Sequence, residues 1–262
     1  MLPLRDQLPT RSTPVVTISL ITLNIAAFVW EWLTIASGMP AARFLREWGL
    51  IPARFTEAPV QDLVTVFSSM FLHDPSGLPL HLAGNMLFLW IFGDNVEDAL
   101  GRLNFAVFYI LSGCAAAFAQ IAIDPSSQIP MIGASGAVSG VLAAYGSLYP
   151  RSPITVLNPF LPLWLFFGPT LMLPAWLVIA EYFIVNLLNG LGSVGGTGGG
   201  VAFFAHLGGF VAGLILCRFF RMGRPPRDHD RWSTFRPPPR RPPYPGHPRP
   251  GASPPRRGPW DW

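Results

Sequence analysis

Apolar residues run through this chain in blocks, and crossing about 30 Å of hydrocarbon takes roughly 20 helical residues. The blocks fall at 14–37, 81–93, 103–123, 135–149, 171–188 and 201–220. The second and fourth are short. Pro79 interrupts an upstream extension of the second, and the fourth starts abruptly at Gly133-Ala134-Ser135-Gly136. A short span that begins inside the protein is tolerated only where a cavity satisfies the freed backbone groups. A further apolar stretch, 160–167, is broken by Pro159, Pro162 and Pro169 and reads as interfacial. The pattern predicts an all-α polytopic membrane protein, a six-helix bundle over 14–220 preceded by a short segment, 1–13. Arg5 and Arg11 ahead of the first block imitate a secretory signal. That block is too long, carries Glu31 and is followed by five more, so we expect it to be retained.

Composition agrees. Half of the 262 residues are hydrophobic and 12% are charged, where a soluble domain carries about 25% charged. An ordinary soluble enzyme, a disordered chain and a collagen-like chain are all excluded. The net charge of +4 is unevenly divided: residues 1–217 sum to −4 and residues 218–262 to +8, with Arg as the sole basic type besides His. From Gly223 onward lie 13 of the 29 prolines, so 221–262 is expected to be a disordered or polyproline-like tail. Arg218, Arg221, Arg224 and Arg227 directly follow the last block and mark a cytoplasmic C-terminus, and six crossings return the N-terminus to the same side. Segments 124–131 and 192–200 carry no Arg, as outer loops should. Segment 38–62 holds Arg43, Arg46 and Arg54, offset by Glu47, Glu57 and Asp62. The positive charge therefore marks orientation and points to no nucleic acid. The basic tail reads first as a solvated segment, with an anionic lipid surface or another partner as the functional alternatives. Cys114 and Cys217 lie in apolar runs and read as small core hydrophobes. The all-Arg usage points to a bacterial inner membrane.

A charge at the centre of a span costs about 2.5–3.5 kcal/mol, so the few polar residues within spans carry information. They are His81 and Asn85, Ser135 and Ser139, Glu181 and Asn186, and His206. Ser135 opens a helix, where unpaired N–H groups face any anion formed on its substrate, and Gly133 and Gly136 would let a substrate backbone come close. His206 shares a helix face with Gly209 and Gly213, and the fourth span has its own small face through Gly136, Gly140 and Ala144. Two such faces permit close approach and would bring His206 beside Ser135. A neutral imidazole can take the serine proton near pH 7. His81 and Asn85, four apart, project from one face and suit an oxyanion site. Each residue also has a bland reading: small residues pack helices, a core histidine can be a satisfied hydrogen-bond partner, and a His-Asn pair can join helices. The coincidence favours chemistry, since every candidate lies near the outer end of its span.

His81-x-x-x-Asn85, Gly133-Ala134-Ser135-Gly136 and Ala205-His206-x-x-Gly209-x-x-x-Gly213, in that order over six spans, resemble the rhomboid intramembrane serine proteases. The resemblance covers about 14–220 and includes Glu97 and Gly101 after the second span and Pro174-Ala175-Trp176 entering the fifth. It implies a Ser135–His206 dyad without a third carboxylate, and an oxyanion hole from the Ser135 N–H with His81 and Asn85. It implies structural roles for Gly209, Gly213, Glu97 and Gly101, and no cofactor. The fifth span and segment 192–200, with six glycines, would form the gate for a substrate helix. Three positions depart from the family pattern. Glu47-Trp48 stands where many members have Trp-Arg. Ser139 stands where some place a tyrosine that stacks on the histidine. The stretch from His73 to His81 is lengthened by Asp74-Pro75-Ser76-Gly77.

Other classes fit less well. A membrane aspartyl protease needs paired Asp inside spans. A zinc protease needs HExxH or an equivalent cluster, and no metal site is expected. A channel predicts polar residues through the full bilayer depth. A non-catalytic relative that binds or escorts membrane proteins predicts loss of Ser135 or His206. The expected activity is cleavage of single-span or multi-span membrane substrates near their outer boundary.

Overall fold

The computed structural model describes residues 2–75, 79–160, 162, 164, 168–193 and 202–221, all within one compact unit, Met1–Trp232. The tail from 222 and the glycine-rich 194–200 lie outside the described residues. The chain is mostly helical. In order it forms strand β1 (Leu2–Asp6) and helices α1 (Val15–Ala36), α2 (Ala41–Trp48), α3 (Pro52–Glu57), α4 (Pro59–Ser68), α5 (Leu80–Leu100), α6 (Arg102–Ile123) and α7 (Ser135–Leu148). Strands β2 (Pro153–Leu157) and β3 (Thr170–Pro174) follow, then α8 (Ala175–Ser193) and α9 (Ala202–Phe220).

Among the described residues three helices are long and apolar enough to cross a membrane: Val15–Ala36, Arg102–Ile123 and Phe203–Phe220. Their outward faces bear Ile18, Leu23, Val29, Leu103, Leu111, Ile215 and Phe219, all exposed. Large apolar side chains in such numbers require lipid around them. Of the other expected spans, α7 has 14 residues, and α5 carries Asp94, Glu97 and Asp98 in its last two turns. The six-span count therefore does not follow from length and apolarity alone.

The all-α expectation is corrected by a three-stranded antiparallel sheet in the order β1-β2-β3. Its central strand alternates, with Ile154 and Val156 fully buried. The same sheet shortens the fifth apolar block at its start, because 171–174 extend as strand and α8 begins only at Ala175. The second block lengthens instead: α5 continues past Gly93 to Leu100, its polar end buried among other helices.

Two polar contacts explain how the bundle is tied. Glu97, 1% exposed, accepts from the backbone N–H groups of Val16 (3.0 Å) and Thr17 (2.8 Å) and from the Thr17 hydroxyl (2.8 Å). A carboxylate from α5 thus caps the first turn of α1, where the helix dipole favours negative charge. Gly101 alone separates α5 from α6, and its φ of 85° is a conformation that costs other residues strain. The core is a continuous apolar cluster centred on α5, α6 and α7, with Leu89, Phe92, Phe105, Phe108 and Tyr145 fully buried.

Candidate active site

Ser135 is the first residue of α7, so its backbone N–H is one of the helix's unpaired donors. The approach to it is clamped. Met131 and Leu50 exchange backbone hydrogen bonds (2.7 and 3.1 Å), and the Gly133 N–H donates to the Ser69 carbonyl at 2.8 Å. Gly133 has φ +117°, which requires glycine, and a Cβ there would lie 2.8 Å from Cε1 of His81. The His81 imidazole therefore rests against the turn that presents Ser135.

His206 comes to Ser135 through backbone contact between α7 and α9. A Cβ at Gly209 would lie 2.8 Å from the carbonyl carbon of Gly136, and one at Gly213 would lie 2.6 Å from Cα of Gly140. Two pairs of glycines, each pair four residues on from the last, let two helices running the same way touch main chain to main chain. Nε2 of His206 then stands 2.7 Å from the Ser135 hydroxyl, within hydrogen-bond distance. His206 is 8% exposed, and among the described residues its Nδ1 has no hydrogen-bond partner. Gly136 faces elsewhere: a Cβ on it would collide with Ala116 of α6. Helix packing by itself is a sufficient reason for glycine there.

Asn85 lies one turn beyond His81 on α5 and is 7% exposed. Its recorded partner is a residue that sequence reasoning passed over. Nδ1 of His73 lies 3.2 Å from the Phe71 carbonyl, which only accepts, so Nδ1 carries the proton. Nε2 is then the acceptor for the Asn85 amide at 3.2 Å. Burial, with the neighbouring His81 second, pushes the His73 pKa down to about 4 and keeps the ring neutral. Its ring meets that of His81 edge-on, with centroids 5.2 Å apart. Its backbone N–H donates to Glu31 of α1 at 3.2 Å, and Glu31 is fully buried. A carboxylate inside an apolar span was the available signal, because such a charge needs a partner.

The first loop also has its own fastening. Arg54 donates to the carbonyls of Arg46 and Gly49 (2.9 Å for the second) and pairs with Asp62 at 2.7 Å. Trp48 packs edge-on against Trp30 of α1 at 5.3 Å. Ser139 is met by Tyr182 of α8, so a tyrosine does reach that turn of α7, from another helix. Glu181 is half-buried on α8. Among the described residues no group of three or more His, Cys, Asp or Glu is placed to hold a metal.

His81 and Asn85, Ser135, and His206 sit near the N-terminal ends of α5, α7 and α9 respectively, and His73 joins them from the loop before α5. Residues 60–222 match the family model described as the rhomboid domain. The chain is 30% identical over 142 residues to "Rhomboid protein 1, mitochondrial" of Saccharomyces cerevisiae, covering 52% of this chain and 37% of that protein. It is 31% identical over 115 residues to the human "Presenilin-associated rhomboid-like protein, mitochondrial", covering 43% of this chain and 29% of the relative. To "RHOMBOID-like protein 5" of Arabidopsis thaliana it is 27% identical over 179 residues, 68% of this chain and 50% of that one. The chain thus spans half or less of the length of these relatives. They are eukaryotic, and two are mitochondrial by name, which runs against the expected bacterial inner membrane. The extent of the domain match shows that this membrane protein belongs to the rhomboid family.

Proposed function

We propose that the protein is an intramembrane serine endopeptidase that cleaves membrane-spanning substrates near the boundary on the side where α7 begins. The observation that carries this reading is the 2.7 Å contact between Nε2 of His206 and the hydroxyl of Ser135 at a helix N-terminus. The Ser135 oxygen attacks the scissile carbonyl while His206 takes its proton. The oxyanion that forms is met by the Ser135 N–H, the His81 imidazole and the Asn85 amide. His206 returns the proton to the leaving amine. A water, deprotonated by the same imidazole, then releases the acyl group, and no cofactor enters either step.

In this reading the six helices α1 and α5 to α9 cross the bilayer, with both termini on the basic side. Helix α8 and the segment after it form the entry for a substrate helix, and Gly133 leaves room for a substrate backbone beside His81. The domain organisation is 1–13, 14–220 and 221–262. Purified protein in liposomes with a generic transmembrane substrate tests the activity. Ser135→Ala and His206→Ala are each expected to abolish cleavage, and a fluorophosphonate is expected to label the parent but neither variant. Cleavage by Ser135→Ala at the parent's rate would overturn the dyad. A parent that neither cuts nor labels would leave a non-catalytic, escorting relative.

A further inference from the structure

The sheet end of the bundle carries a groove that no residue of the proposed dyad or oxyanion site lines. It opens sideways between α7, α8 and α9, with a volume of about 450 Å³. Its lining includes Gly146 and Ser147 of α7, Trp176, Ala180 and Phe183 of α8, and Leu214 of α9. The lining is made mainly of small and aromatic residues, and its side-chain polar groups are the Ser147 hydroxyl and the Trp176 indole N–H. Water would find almost nothing to bond with there, so the occupant is apolar. The groove is also remote from the chemistry. Ser147 follows Ser135 by 12 residues on one helix, which is about 18 Å along the axis at 1.5 Å per residue.

Charge distinguishes this groove from any other greasy surface. Arg218 lies four residues after Leu214 on the same face of α9, one turn nearer the helix end, and is exposed. Arg151, also exposed, follows Pro150, whose carbonyl accepts the backbone N–H of Trp176 at 2.9 Å. Neither arginine lines the groove itself; Arg218 stands one turn from Leu214 and Arg151 next to the residue that bonds Trp176, an exposed tryptophan of the kind that sits at headgroup depth. Guanidinium groups grip phosphate with paired hydrogen bonds, and basic pockets between membrane helices hold anionic headgroups.

We propose that this groove binds one anionic phospholipid from the leaflet at the sheet end, an acyl chain lying along Gly146, Ala180 and Leu214 and the phosphate held by Arg151 and Arg218. The assignment does not rest on the protein being a protease. Native mass spectrometry of purified protein, equilibrated with equal phosphatidylglycerol and phosphatidylcholine in detergent, tests it. The parent is expected to retain one phosphatidylglycerol in preference. The double variant Arg151→Gln/Arg218→Gln is expected to lose about tenfold of that preference, the equivalent of one charge-assisted hydrogen bond. Ala180→Trp, which fills the groove, is expected to release the bound lipid whatever its headgroup. Ser147→Phe repeats the test at an exposed rim position, where folding is not at stake, and thermal unfolding of each variant checks that the bundle persists. Retention of phosphatidylglycerol by folded, groove-filled variants, or an unchanged headgroup preference in the Arg double variant, would overturn the proposal. So would filled variants that keep their lipid and lose a bound substrate helix, since the groove would then belong to protein.

Discussion

Gly209→Ala is the substitution that most directly couples packing to the proposed chemistry. The new methyl carbon would start 2.8 Å from the carbonyl carbon of Gly136 and 3.3 Å from its Cα, with the carbonyl oxygen closer still, against an ordinary contact of 3.4–4 Å. The neighbour is backbone, not the end of a flexible side chain, so it cannot swing aside. Helix α9 must therefore retreat by about 1 Å, a displacement that in active sites can cost on the order of 10²-fold in rate. The hydroxyl–imidazole separation of 2.7 Å would open beyond hydrogen-bonding range. A hundredfold loss corresponds to about 2.7 kcal/mol of barrier. Overpacking adds about 1–3 kcal/mol of destabilisation. The assays are cleavage of a transmembrane substrate in liposomes, fluorophosphonate labelling of Ser135 and the thermal unfolding midpoint. Gly84→Ala is the control, since a Cβ there meets nothing within 4 Å. We expect Gly209→Ala to remain folded with a lowered midpoint and to label about a hundredfold more slowly, and Gly84→Ala to match the parent. Labelling of folded Gly209→Ala at the parent's rate would refute the claim that glycine contact between α7 and α9 sets the dyad distance.

Three further outcomes follow from the same contacts. Glu97→Gln keeps the volume but turns an amide N–H₂ toward backbone donors of α1, and is expected to lower stability by about 2 kcal/mol in detergent unfolding; an unchanged midpoint would refute the capping role. His73→Phe keeps a buried ring but removes the acceptor that orients Asn85, so kcat should fall about tenfold with KM unchanged, less than the ~10²–10³-fold expected for removing an oxyanion donor outright. The third concerns pH. Asp6 accepts from Asn95 (2.6 Å) and Tyr145 (3.0 Å), and burial, with the charge of Asp94 second, lifts its pKa from 3.8 to about 7. A carboxyl raised on folding stabilises fully below its unfolded pKa and loses that contribution as pH rises through its folded one. Amide-exchange protection of β1 against β2 should therefore weaken as pH rises through about 7, and Asp6→Asn should flatten the dependence.

The recurrence of apolar blocks and of glycines four apart was enough, before any coordinates, to place Ser135 and His206 on facing helices. In lipid, apolar burial does not favour one helix pairing over another, so small-residue faces largely specify which helices touch. Glu97 and Gly101 stood out only through the family resemblance, and the capping of α1 by Glu97 and the turn at Gly101 became visible in the structure. The sheet was not legible. Pairing Leu2–Asp6 with Pro153–Leu157 joins segments about 150 residues apart, and five alternating residues are too few to separate a strand from an interfacial stretch. The chain from Glu31 through the His73 backbone to the Asn85 amide was hidden as well, because its members come from α1, a loop and α5 and share no local spacing. Local pattern determined the elements and one helix pairing. The tertiary structure decided which buried polar groups satisfy one another, because a hydrogen bond in an apolar interior depends on position in space and not on distance along the chain.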